Sequence, residues 1–287
     1  MAYSVRLRLG LAAWSNAHFD HALYPLQTPH AEYLPRYATL FDCAEADILH
    51  HRDADEGTLA DWIEQTPPDF LLLPKMSKAA THAGAPPSNR PDPRRPPKVA
   101  DPDAPSSLDA ARAALDALVP LEKSGRLGPV LLQFPPSLDR VAGWDLLARM
   151  LPLRPEGSFA VEFRGASWFV PAVEHLLEDF DAPLVWSTWP KAFAPPWRTA
   201  SKGYIRFTGT HFNTRGRHVQ VADRLGDILE IRKRLEQASW KECFAIVTNP
   251  FEGNAVDSIP RIAAALGAPD LAARMRRGPG QVLFPDP

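Results

Sequence analysis

Short apolar runs alternate with amphipathic stretches along most of the chain. Eight of the runs read as strands: Arg6 to Gly10, Cys43 to Asp47, Phe70 to Lys75, Val130 to Gln133, Phe159 to Phe163, Leu184 to Ser187, Tyr204 to Phe207 and Phe244 to Thr248. Between them, His30 to Leu40, Glu56 to Gln65, Pro105 to Ser124, Asp139 to Met150, Val170 to Phe180 and Val221 to Ala238 carry apolar residues three and four apart, which gathers them on one helix face. Repeated strand–helix alternation favours right-handed crossovers and a parallel sheet. The expected fold is therefore α/β, a (β/α)₈ TIM barrel forming one domain over residues 1–287. One connection departs from the pattern. Between Ser187 and Tyr204, the residues Trp189, Pro190, Pro195, Pro196 and Trp197 predict an irregular loop in place of a helix.

Side chains alternate between the faces of a strand, so residues two apart share a face. In the fifth strand, Phe159, Val161 and Phe163 fall on one face, and Ala160, Glu162 and Arg164 on the other. Packing the large apolar set against helices turns Glu162 toward the barrel axis. The same spacing groups Glu45 with Asp47, Leu73 with Lys75, Leu131 with Gln133, and Tyr204 with Arg206 and Thr208. In each group a polar member lies near the C-terminal end of its strand, where barrel active sites are built.

Composition adds limits. The 287 residues are 45% hydrophobic and 23% charged, ordinary proportions for a chain that buries a large core. A formal net charge of −2 gives no global attraction to nucleic acid or anionic membrane, so any basic site must be local. Nucleic acid is accordingly a disfavoured partner. No stretch approaches the roughly 20 apolar residues that span a bilayer, so no membrane partner and a cytoplasmic location are expected. Cys43 and Cys243 both adjoin apolar runs and are expected as buried free thiols. Proline is the outlier, with 31 residues, about twice average usage. Many lie between Gly84 and Pro105, beside Arg90, Arg94, Arg95 and Lys98. With no apolar periodicity to bury, this segment reads as a proline-rich insertion after the third strand, either a polyproline excursion or a partly disordered loop.

Two stretches, LGPVLLQFPPSL (Leu127 to Leu138) and AVEFRGASWF (Ala160 to Phe169), resemble the family called domain of unknown function 72, or YecE-like proteins. Shorter stretches support the resemblance: GLAAW (Gly10 to Trp14), FDCAEAD (Phe41 to Asp47), WIEQTPPDFLLLPK (Trp62 to Lys75) followed by Thr81-His82, and YIRFTG (Tyr204 to Gly209). The resemblance implies a TIM barrel and supplies no reaction. It also marks departures. Where the family usually carries asparagine this chain has Asp47; an aromatic pair is replaced by His50-His51, an aspartate near Ser187-Thr188 is missing, a histidine is replaced by Thr208, and paired asparagines after the last strand are reduced to Asn249.

The candidate catalytic residues are Glu162, Lys75, Glu45 and His82. The candidate ligand contacts are Arg206, Gln133, Arg164, Asn249, Asp47 and Trp14. Opposed charges inside a narrow barrel shift pKa values toward ranges useful for acid–base chemistry. The competing reading is an ion-pair network that only fills the barrel. Arg52, Lys75, Lys78, Arg164 and Arg206 could collect a phosphate or carboxylate, or be ordinary solvated charge. His50, His51 and His82 with Asp47 and Glu162 have the ligand types of a divalent metal site, but no metal-binding spacing is present and no metal ligand is assigned. Trp14 and Trp189 are the preferred stacking surfaces, and most of the eight tryptophans are expected as core or loop anchors. The residues are compatible with a hydrolase or lyase acting on a small or oligomeric anionic substrate. The alternatives are a non-catalytic binder of a phosphorylated metabolite or nucleic acid, and a metal-dependent phosphoesterase.

Overall fold

A computed structural model of the chain describes residues 5–15, 19, 23–25, 27–47, 55–82, 106–210 and 222–275. In chain order it runs β1 (Arg6–Leu11), α1 (His30–Ala38), β2 (Cys43–Ala46), α2 (Glu56–Glu64), β3 (Leu71–Pro74), α3 (Lys78–Thr81), α4 (Ser107–Ala117), α5 (Val119–Lys123) and β4 (Val130–Phe134). It continues α6 (Arg140–Met150), β5 (Phe159–Phe163), α7 (Pro171–Asp179), β6 (Trp186–Ser187), β7 (Gly203–Phe207), α8 (Leu225–Gln237), β8 (Glu242–Val247), α9 (Ala255–Ala265) and α10 (Pro269–Arg274). The proline-rich insertion and Val221 lie outside the described residues. None of the described helices is long and apolar enough to cross a membrane.

Local chemistry sets many of the boundaries. Among the described residues side chains cap five helices: Asp55 accepts from Thr58 N, Ser77 from Ala80 N, Ser106 from Asp109 N, Asp139 from Ala142 N and Asn254 from Val256 N, each satisfying an amide with no intrahelical partner. The single helix predicted up to Ser124 is divided at Leu118, because Pro120 cannot donate to the preceding turn but suits the first turn of a new helix, α5. Two helices after the last strand, α9 and α10, go beyond the predicted elements; Pro260 inside α9 is a sequence sign of a helix break. The connection from β6 to β7 is irregular, as its tryptophans and prolines predict.

Among the described residues every strand pairing is parallel, in the order β1-β8-β7-β6, β2-β3 and β4-β5. The ladders thus form three sheets and do not join into one closed ring. Isolated bridges carry the run across two of the gaps, Leu72 to Leu127 and Lys75 to Leu131 between β3 and β4, and Val161 to Leu184 between β5 and β6. At the third gap, between β1 and β2, a side chain substitutes for the ladder. The buried Tyr37 hydroxyl accepts from Leu11 N at 2.7 Å and donates to Cys43 O at 3.1 Å. Gly10 permits the approach, since a Cβ there would sit 2.2 Å from Cys43 O.

The alternation read from the sequence divides the buried apolar residues into two bodies. Cys43, Leu73, Leu131, Ala160, Val185, Tyr204, Phe244 and Ile246 pack together on the inner side of the strands. Phe159, Val161 and Phe163 belong to the larger body between strands and helices. Cys43 and Cys243 are buried free thiols. The inner cluster ends, toward the C-terminal ends of the strands, in charged residues.

Candidate functional site

Each inward strand position two residues beyond the inner cluster carries a polar group: Glu45 after Cys43, Lys75 after Leu73, Gln133 after Leu131, Glu162 after Ala160, Ser187 after Val185 and Arg206 after Tyr204. Lateral register holds several of them side by side. Gln133 pairs with Glu162 across β4 and β5, and Ser187 with Arg206 across β6 and β7.

Arg206 sits at the centre, its side chain 4% exposed. Its Nε and Nη2 donate to the two oxygens of Glu45 at 2.9 and 2.6 Å, and Nη1 donates to Glu162 Oε2 at 2.6 Å. A planar guanidinium suits this fork, because it presents parallel donors to one carboxylate and a further donor to the next. Glu45 also accepts from the Tyr204 hydroxyl at 3.2 Å. Glu162 accepts from Gln133 Nε2 at 2.6 Å and Ser187 Oγ at 2.8 Å, with Arg164 Nε 2.7 Å from its other oxygen. The Arg164 Nε is out of line for a hydrogen bond, so this last contact is coulombic. Two buried carboxylates thus face two guanidinium groups.

The charges respond to that balance. Burial pushes the Glu162 carboxyl up, but Arg164, Arg206 and the donors Gln133 and Ser187 outweigh it and hold the group at about 2. It is ionised throughout the neutral range. Arg206 goes the other way: burial penalises its charge, yet Glu162 and Glu45 raise its pKa well above the usual value. Burial lowers that of Arg164, with Glu162 opposing the fall.

Arg164 is the bridge from this frame to the outside. Its guanidinium carbon lies 4.3 Å from the centroid of the Trp189 ring, a cation–π arrangement. Neither of its Nη atoms donates to a described residue, and the Trp189 indole N–H is buried without a described partner. Just past the ends of β2 and β3, Lys75 Nζ donates to Asp47 Oδ1 at 2.9 Å. His82, the C-cap of α3, has Nδ1 2.9 Å from Thr81 Oγ1. Burial, then Lys75 and Lys78, lower its pKa to about 4, so the ring is neutral at neutral pH.

Two candidates stand apart from the cluster. Asn249 accepts from Ala255 N at 3.2 Å and so spends its carbonyl on the start of α9. Trp14 packs edge-on to Trp62 at 4.8 Å, facing a chamber of about 200 Å³ between α1 and α2, with Glu45 and Asp47 also in its wall. Trp168 and Trp186 are core residues, stacked against Phe163 and tilted against Trp240. His50, His51 and Arg52 lie outside the described residues. Among the described residues no group of three or more His, Cys, Asp or Glu is placed to hold a metal ion.

Two contributors were missed by sequence reasoning. Ser187, flagged only as a departure from a family pattern, continues the inward alternation from Val185 and completes the shell around Glu162; the two-residue period was a usable signal. Arg224 donates from Nη1 to Thr208 O and from Nη2 to Thr188 O, tying the ends of β6 and β7. It follows the seventh strand-like run, Tyr204 to Phe207, by too many residues for any local pattern to reveal it.

The family model described as "Protein of unknown function DUF72" matches residues 8–280. A crystal structure of a DUF72 family protein from Thermotoga maritima MSB8 is similar, with a TM-score of 0.68 and 19% identity over 93% of this chain and 99% of that one. A DUF72 family protein from Enterococcus faecalis V583 gives a TM-score of 0.66 and 18% identity over 91% of this chain and 95% of that one. At such identities the likeness extends to the fold alone. No curated protein matches the chain significantly.

Proposed function

The chain belongs to the DUF72 family, and from that premise we propose that its eight strands form a (β/α)₈ barrel whose C-terminal mouth binds a small anionic ligand. The observation that carries this reading is Arg164. Its head group is braced from below by buried Glu162 and from the side by Trp189, while both Nη atoms remain without a described partner. A guanidinium held in this way is a preorganised fork for a phosphate or carboxylate. Lys75 supplies a second cation, and the Glu45–Arg206–Glu162 network is the rigid support. Glu162 enters as an orienting charge: an oxygen pair already engaged by Gln133, Ser187 and two arginines is a poor acid or base near neutrality.

A hydrolase or lyase built on this site would use His82 for proton transfer, since it is the neutral imidazole beside Lys75. A second reading, a binding protein on an enzyme scaffold, is favoured by the saturation of both interior carboxylates. A metal-dependent phosphoesterase is less well supported, because Asp47 and Glu162 would have to leave Lys75 and Arg206 to reach an ion.

Titration calorimetry of the full chain with inorganic phosphate, and with citrate as the carboxylate probe, tests the site. Arg164→Ala is expected to weaken binding about tenfold or more; unchanged affinity would sink the assignment. Conversion of phosphate monoesters by the wild type, lost in His82→Gln, supports turnover. Saturable binding with no conversion supports the binding protein.

A further inference from the structure

The chamber between α1 and α2 is not explained by an anion site alone. It holds about 200 Å³ and opens beside β2, with Trp14 on one side and Thr58 and Asp61 of α2, with its C-cap Gln65, on the other. Those three residues are spaced three and four apart and line the chamber beside the face through which α2 packs inward, Leu59 and Trp62. Its wall continues onto Asp47, which is ion-paired to Lys75, and Glu45, which is held by Arg206. At Asp47 and Glu45 the chamber therefore lies one side chain away from Lys75 and Arg206.

Charge is segregated along this path. The chamber wall carries the carboxylates of Asp61 and Asp47, with Glu45 already engaged by Arg206, and the mouth offers cations at Lys75 and Arg164. An anion is repelled from the first and attracted to the second. A neutral group rich in hydroxyls fits the first: carboxylate and amide oxygens accept from hydroxyls, and an indole gives an apolar wall for a ring's C–H face. The volume is well below the roughly 300–1,000 Å³ of pockets that enclose drug-sized ligands, so it suits one ring and not an oligomer.

We infer that the chamber is the sugar subsite of the anion-binding mouth, and that the ligand is a phosphorylated monosaccharide whose ring lies against Trp14 and the Asp61–Gln65 face of α2 while its phosphate reaches Lys75 and Arg164. This rests on the anion-binding reading of the mouth and narrows it to a substrate class. Asp61 is exposed and Gln65 partly so, and neither has a place in the buried charge network. Replacing them leaves the frame intact.

Calorimetry on the full chain with inorganic phosphate, hexose 6-phosphates, pentose 5-phosphates, the free sugars and adenosine monophosphate separates the possibilities. A sugar phosphate is expected to bind at least about tenfold more tightly than phosphate. Asp61→Asn combined with Gln65→Ala is expected to reduce it to the phosphate level without changing the affinity for phosphate. Phosphate binding with no gain from any sugar overturns the subsite and leaves the anion site standing. Binding of neither phosphate nor any sugar phosphate overturns both. A nucleotide that outbinds every sugar phosphate with the same dependence on Asp61 and Gln65 overturns the choice of a monosaccharide.

Discussion

Replacing Arg206 with methionine separates a charge network that supports the fold from one that merely occupies space. Methionine roughly preserves the apolar stem but removes the cation between Glu45 and Glu162. The two carboxylates are then unequal. Glu162 keeps Arg164 at 2.7 Å and the donors Gln133 and Ser187, whereas Glu45, fully buried, keeps one hydrogen-bond donor, the Tyr204 hydroxyl at 3.2 Å, and the charge of Arg164 without a direct ion pair. Removing one partner of a buried pair costs about 3–5 kcal/mol, roughly 10 °C in Tm for a chain of this size. The pH dependence is the sharper test. A buried carboxylate with one neutral donor prefers its protonated form, so in the variant Glu45 takes up a proton in the folded state that the unfolded chain releases near pH 4–5. A folded-state pKa raised above the unfolded value gives stability that is complete at low pH and lost as pH rises, at about 1.4 kcal/mol per pH unit.

The wild type has the opposite slope. Glu162, held at about 2 against an ordinary 4.5, contributes stability that is present above about pH 4.5 and lost as pH falls toward 2. The shift of about 2.5 units amounts to about 3 kcal/mol. Urea denaturation followed by tryptophan fluorescence, from about pH 8 to about pH 5, is therefore expected to show the deficit of Arg206→Met shrinking on acidification. A deficit that stays constant or widens refutes the reasoning. If the single variant does not fold, Arg206→Met with Glu45→Gln removes both charges together; recovery of most of the stability, with no pH slope, is the matching expectation.

The joint between β1 and β2 is tested by Tyr37→Phe, which strands the buried Leu11 amide and is expected to cost about 1–3 kcal/mol; a loss within experimental error in denaturant melts would show that the ladder does not depend on this hydroxyl. Gly10→Ala should be at least as damaging, because its Cβ would meet Cys43 O at 2.2 Å, a backbone atom that cannot swing aside. His82 is expected to titrate near pH 4 in imidazole NMR spectra; because folding lowers its pKa, acidification from about 6.5 to 4 removes stability at this site. A midpoint close to the usual 6.5 would remove the burial and the Lys75 and Lys78 repulsion from the account.

Local pattern was sufficient for the parallel α/β alternation and the inward set of strand residues, for a simple reason. The two-residue period of a strand and the three-to-four-residue period of a helix are properties of the backbone, legible wherever apolar side chains mark one face. Ala160-Val161-Glu162 shows the limit of that information as well as its reach. Spacing turned Glu162 inward, but not toward Arg206, 44 residues away. Which charges meet, and therefore that Glu162 is an ionised support and Arg164 the unsaturated donor, depends on strand register and on the rotamers left once the inner cluster has packed. The same holds for Asn249, claimed by the start of α9, and for Trp14, directed to a chamber away from the central network. Sequence alone determined which residues face inward, because facing is a local property of the backbone. Tertiary structure decided their partners and their protonation, because both depend on distances between residues far apart in the chain.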